Sequence, residues 1–197
     1  MSTKCISLAN IDENLDCAEQ DNMGGLTPKV IFGYWDDVAG WPSLPAGVSG
    51  AAVALDTAGA LDGDVTMKTG VNAYTFEFGE DKGNFTIAPQ GEMGSLSMLY
   101  TLTIVSARIR KTILGFLNAV KNKKMFFIVQ DANGDYYLMG DSRRAAHLNS
   151  GDGAATGTAA TDANQTTLKF TYVSPRALQY AGDVVKLLTA VTVPAGS

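Results

Sequence analysis

The chain has 197 residues, of which 46% are hydrophobic and only 18% charged, and its formal net charge is −5. That length allows one domain with a proper core, and the acidic balance argues against attraction to nucleic acid, which needs Lys and Arg to displace counterions. There is no run of about 18 apolar residues, which excludes a membrane-spanning helix. So few charges are unusual for a protein that faces water on every side, and they point to surface that meets other subunits. Met1 to Asn10 lacks the long apolar core of a signal peptide, so synthesis in the cytoplasm is expected. Cys5 and Cys17 fit no zinc or redox spacing and are expected as free thiols.

Residues 1–28 are polar and acidic, with Asp12, Glu13, Asp16, Glu19 and Asp21 against Lys4 alone. They read either as a partly ordered terminal arm or as an arm that orders on a neighbouring subunit. Lys29 to Trp35 alternates, with Val30, Phe32 and Tyr34 on one side, and predicts a strand. Asp36 to Gly50 holds Pro42, Pro45 and three glycines and reads as loop. Within it, Trp41 is either core or an exposed anchor. Small residues dominate Ala51 to Gly70, where turns at Gly59 and Asp62–Gly63 predict one or two short strands in a hairpin. From Ala73 to Phe78 a strand sets Tyr74, Phe76 and Phe78 on one face. A turn over 79–83 follows, and then extended chain from Asn84 to Ile87 that ends near Pro89.

Leu96, Met98, Tyr100, Leu102 and Ile104 share one face of a long strand. Ser106 then reads as the N-cap of a helix over about 107–122. Its apolar stripe is Ile109, Ile113, Phe116, Leu117 and Val120, while Arg108, Arg110, Lys111, Asn118 and Lys121 face outward. Lys121, Lys123 and Lys124 complement the C-terminal end of the helix dipole. Met125 to Val129 is an apolar run suited to a central strand, and Asn133–Gly134 matches a tight hairpin turn into Tyr136 to Met139. Residues 141–165 are low in complexity and predict a long loop, functional or disordered. Thr166 to Val173 alternates again, with Leu168, Phe170 and Tyr172 inward, and Asp183 to Pro194 reads as a strand or a short helix. These elements describe a mainly β chain of the α+β class: an arm over 1–28, a domain over 29–182 and a C-terminal segment over 183–197.

No constellation for chemistry stands out, and no cofactor, metal or catalytic residue is expected. Asp131, Asn133 and Asp135 occupy the first ligand positions of a calcium loop, but Gly134 is misplaced and Ser142 stands where a bidentate Glu belongs. A hairpin turn accounts for the same residues. His147 is the single histidine, and no nucleophile-elbow sequence accompanies Ser142 or Ser150. The basic residues around the helix read either as a solvated face or as a surface complementary to an acidic arm or loop of a neighbour. On the second reading the candidate subunit-interface residues are Asp12, Glu13, Asp16, Trp41, Arg108, Lys111, Lys121, His147 and Asp152.

The block from Ala73 to Gly140 resembles the tail-tube and tail-ring proteins of tailed bacteriophages. The resemblance rests on Tyr74–Phe78, Gly91, Ser95–Val105, Phe116–Leu117, Lys123–Val129, Asp131–Gly134 and Tyr137–Gly140. It implies an antiparallel β-sandwich or half-barrel flanked by one amphipathic helix. It further implies a non-enzymatic virion subunit, made in the host bacterial cytoplasm, that self-assembles into a hexameric ring or a tube beside other tail or neck proteins. DNA would pass through such a channel without specific binding, past a lining expected to be acidic. The competing expectations are a monomeric module that binds a peptide or glycan through the Trp41 and 141–165 loops, and a hydrolase that depends on His147.

Overall fold

A computed structural model describes residues 6–11, 22–44, 52–149, 153–159 and 161–189, and the chain is mainly β. The N-terminal part holds β1 (Leu26–Tyr34), a 3-10 turn at Trp35–Asp37, β2 (Val38–Gly40), the helical turn α1 (Leu55–Ala58), β3 (Ala60–Leu61) and β4 (Thr66–Met67). The middle holds β5 (Tyr74–Glu77), β6 (Gly83–Gln90), β7 (Ser97–Ala107), the helix α2 (Lys111–Val120), β8 (Met125–Asp131) and β9 (Tyr136–Met139). Next come β10 (His147–Leu148), β11 (Gly153–Ala155), β12 (Gln165–Ser174), β13 (Gln179–Tyr180) and the short helix α3 (Val185–Thr189).

Two sheets form a sandwich. One runs β3-β13-β9-β8-β1-β5, antiparallel except for the β13–β3 pair. The other runs β10-β12-β7-β6, with β11 also on β12. Inward side chains of β7 (Tyr100, Leu102, Ile104) and β12 (Leu168, Phe170, Tyr172) meet Val30, Phe127, Val129 and Met139 of the first sheet. Phe127 and Phe170 lie with ring centroids 4.4 Å apart. The run Met125–Val129 is apolar throughout because β8 is buried on both faces. Its other face, Phe126 and Ile128, joins Val65, Leu138, Tyr180 and Leu187 in a second core on the far side. That second layer covers one sheet, while among the described residues nothing is layered on the outer face of the β6-β7-β12 sheet. The isolated bridge Met125↔Ala146 ties the start of β8 to the chain entering β10, which links the sheets at one corner.

Helix α2 packs Phe116 and Leu117 against the sandwich, with Phe116 within 5.3 Å of Phe32 and 5.5 Å of Phe76, centroid to centroid. It begins at Lys111, later than the expected 107. Ser106 is no cap: it remains in β7 paired with Thr166, is buried, and accepts a bond from Arg110 at 3.1 Å. The long ladder with β12 outcompetes local capping. The chain turns at Arg108, whose φ is +54°, with the Arg108 N–H donating to the Asn164 carbonyl.

Other expectations also change. The Asn133–Gly134 hairpin exists, but only Gly134 takes a positive φ (100°) and Gly134 N–H donates to the Asp131 carbonyl. That is a type I turn followed by a left-handed glycine, not the mirror-image two-residue turn. β3 and β4 do not form a hairpin: β3 pairs with β13 and β4 with β2, a strand inside the expected 36–50 loop. The 141–165 segment is not structureless, since β10 and β11 both add to β12. At the C-terminal end, α3 takes the helical alternative, and Asp183 accepts the Val185 N–H at 2.9 Å. Cys5 and Cys17 lie outside the described residues.

Candidate functional site

β6 is eight residues long, lies at the edge of its sheet, and carries no charged residue. A strand so placed leaves a row of backbone donors and acceptors open to another chain, and edges are ordinarily guarded by charge, bulges or proline. Here Pro89, near the strand's end, is the guard present. The opposite edge of the same sheet consists of the short β10 and β11. Between these edges the bare outer face is built in rows. Thr86, Thr101, Thr171 and His147 are successive cross-strand partners, as are Asn84, Thr103 and Lys169. Val105 pairs with Thr167 and Leu99 with both Ala88 and Val173. Lys169 and, at the margins, Lys82 and His147 are the titratable residues that this face carries among the described positions. It presents hydroxyl and methyl groups, and it offers none of the carboxylates expected of a channel lining.

At the His147 margin lies a basic groove of about 310 Å³, lined by Trp35, Lys124, Arg143, Arg144, His147 and Val173 among others. Its geometry starts from Asp141. One carboxylate oxygen accepts the backbone N–H groups of Arg143 and Arg144 at 2.6 and 2.7 Å, and the other accepts the Tyr172 hydroxyl at 3.0 Å. The Asp141 carbonyl takes the Trp35 indole N–H at 2.7 Å, and its own N–H closes the turn on the Arg144 carbonyl. The Tyr172 phenol pKa is pushed up, first by burial and then by the Asp141 charge beside it. The Lys124 ammonium sits 5.0 Å above the Trp35 ring. Because Asp141 is committed to backbone and phenol, Arg143 and Arg144 project from a fixed turn without a carboxylate partner among the described residues. The ion pairs among the described residues belong to Lys186, with Asp64 and Asp183. A second hollow of about 480 Å³, with Ser95, Leu96 and Pro175 in its wall, shares both arginines and Asp141.

The structure separates several residues that the sequence grouped. Lys111 and Lys121 stand at opposite ends of α2, about 15 Å apart along ten residues. Arg108 sits at the end of β7, near the helix start, so the basic cluster divides in two. The C-terminal half, through Lys124, meets His147 in the groove. Trp41 is half-buried within its own chain, 6.0 Å from both Trp35 and Phe126, centroid to centroid. Asp12, Glu13, Asp16 and Asp152 lie outside the described residues. Arg143 and Arg144 were not singled out from the sequence, although Asp141 two positions before Arg143 is an Asx-turn signal. Asp131, of the calcium-like loop, accepts the Asn133 and Asp135 N–H groups at 2.9 Å each. Among the described residues no three His, Cys, Asp or Glu side chains are grouped to hold a metal, and no helix is long and apolar enough to cross a membrane.

No family model, curated protein or solved structure matches the chain.

Proposed function

We propose that this chain is a structural virion subunit of a tailed phage, assembling with its own copies into a ring or tube through which DNA passes. The observation that carries this reading is the eight-residue edge of β6, which carries no charge, has Pro89 near one end as its guard, and has no further strand paired to it among the described residues. In a head-to-tail arrangement the β6 edge of one copy meets the β10–β11 edge of the next, and such heterologous contacts close into rings when the rotation allows. The bare sheet face would then run on from subunit to subunit. Its hydroxyl and methyl lining presents little charge to phosphates, so DNA would slide along it by weak contact in place of the repulsion expected from an acidic wall. The two-sheet sandwich with helix α2 on its flank and the sequence resemblance over 73–140 support the same reading.

The test is negative-stain electron microscopy with sedimentation velocity on the purified chain. Rings or tubes are expected as concentration rises. A species that remains a monomer at high concentration, or a compact dimer with no ring, overturns the proposal.

A further inference from the structure

The segment 12–21 contains Asp12, Glu13, Asp16, Glu19 and Asp21 and no Lys or Arg. Its five carboxylates equal the formal net charge of −5 carried by the whole chain, so the rest of the sequence is balanced. Against it stands a groove whose Lys124, Arg143 and Arg144 have no carboxylate partner among the described residues, with both arginines held on a turn fixed by hydrogen bonds to the Asp141 carboxylate and carbonyl. We infer that this groove receives the acidic segment 12–21 of a second copy of the chain.

The attachment of the segment sets its reach. Met23, just after the segment, donates its N–H to Asn133 Oδ1 at 2.8 Å, and Asn133 Nδ2 donates to Asn22 Oδ1 at 3.2 Å. The chain directly after the segment, Asn22 and Met23, is therefore fixed at the β8–β9 hairpin tip. Lys124 precedes β8, so the chain's own groove lies at the other end of that seven-residue strand, about 20 Å away. Ten extended residues reach about 33 Å, enough for a groove on the same chain or on a neighbour. The assembly reading, in which copies meet, assigns the neighbour. Docking within one chain would leave both charge variants below associating like the parent. Preorganisation favours the match as well: arginines held on a rigid turn lose little freedom when they form paired bonds to carboxylates. Trp35 and Val173 in the groove wall offer apolar surface to Leu15 and Ala18, which alternate with the acids. A peptide fits this small groove better than duplex DNA does, since the chain as a whole carries negative charge.

The inference rests on the assembly reading only in requiring that copies meet, and a charge-swap experiment on the full-length chain separates the two. One variant carries Arg143→Glu with Arg144→Glu, the other Asp12→Lys, Glu13→Lys and Asp16→Lys. Each alone sets like charge against like, and each should self-associate on the order of tenfold more weakly than the parent at low salt. An equimolar mixture pairs the reversed segment of one variant with the reversed groove of the other, and association should return. That return also shows that both variants fold. The inference fails if both variants associate like the parent, or if mixing restores nothing. It fails too if the parent binds a short DNA duplex at the same salt and the arginine variant loses that binding while its self-association is unchanged. Rings seen in both variants would leave the assembly reading standing and remove this contact. Salt-sensitive, swap-dependent association without rings would do the opposite.

Discussion

At the residue scale, two positions test how tightly the sandwich is specified. The Thr166 hydroxyl is fully buried opposite Ser106 and has no hydrogen-bond partner among the described residues. A buried hydroxyl without a partner costs about 1–3 kcal/mol, and valine keeps the shape and removes the polar atom. Thr166→Val should therefore raise the thermal midpoint by a few degrees, an increment on the order of 1 kcal/mol. Calorimetry that shows a lower midpoint would mean the hydroxyl has a partner such as a water. Gly140 is the opposite case. Its φ is +138°, and a Cβ there would lie 3.2 Å from both the Trp41 ring and the Phe126 Cβ. The substitution Gly140→Ala combines backbone strain with crowding of the edge-to-face Trp41–Phe126 pair, and should lower stability by about 1–3 kcal/mol. Urea unfolding followed by tryptophan fluorescence checks it, and an unchanged midpoint would count against Trp41 as a packed residue.

At the scale of elements, the open edge of β6 is the feature with the clearest consequence. Thr86 and Ala88 point to the bare face of that strand, opposite Thr101 and Leu99. Lysines there supply the charge that edge strands ordinarily carry. Thr86→Lys with Ala88→Lys should shift sedimentation toward monomer while the unfolding midpoint moves by less than about 0.5 kcal/mol, as is usual for surface positions. Assembly that persists in this variant would place the contact elsewhere. The same strands show what the sequence made legible. Period-two alternation found β7 and β12 because each buries one face. It found β1 and β5 because Phe32, Tyr34 and Phe76 share the main-core side, although β1 also turns Ile31 into the second core. The unbroken apolar run found β8 because it buries two faces. Signals that depend on distant partners were not legible. Ser106 reads locally as a cap, yet the β12 ladder takes it. Likewise β10, β11 and β13 are two or three residues long and exist only because a longer neighbour supplies their hydrogen bonds. The groove was missed for that reason: its basic residues come from three places, before β8, after β9 and on β10, which only the folded sheet brings together.

At the scale of the whole molecule, three buried tyrosines join the layers through their hydroxyls. Tyr100 donates to the Arg176 carbonyl at 3.1 Å and accepts the Leu178 N–H at 2.8 Å. Tyr180 accepts the Val65 N–H at 3.1 Å across the second core, and Tyr172 donates to Asp141 beneath the arginine turn. Burial is the leading cause that raises all three phenol pKa values above the ordinary 10. A pKa raised by folding gives stability that is fully present below pH 10 and is lost as the pH climbs toward the folded value, because the unfolded chain releases these protons first. Stability should therefore hold flat from neutrality to about pH 10. Above that it should fall by about 1.4 kcal/mol per pH unit for each tyrosine still protonated in the fold. Phenolate absorbance at 295 nm should include a phase that rises together with the loss of the β-sheet circular dichroism signal. In Tyr172→Phe that alkaline slope should be shallower by about one tyrosine's share, and the variant should also lose about 1–3 kcal/mol at neutral pH from the broken bond to Asp141. If all phenols titrate near pH 10 with the sheet signal intact, the hydroxyls are open to solvent and the layers are held by apolar contacts alone.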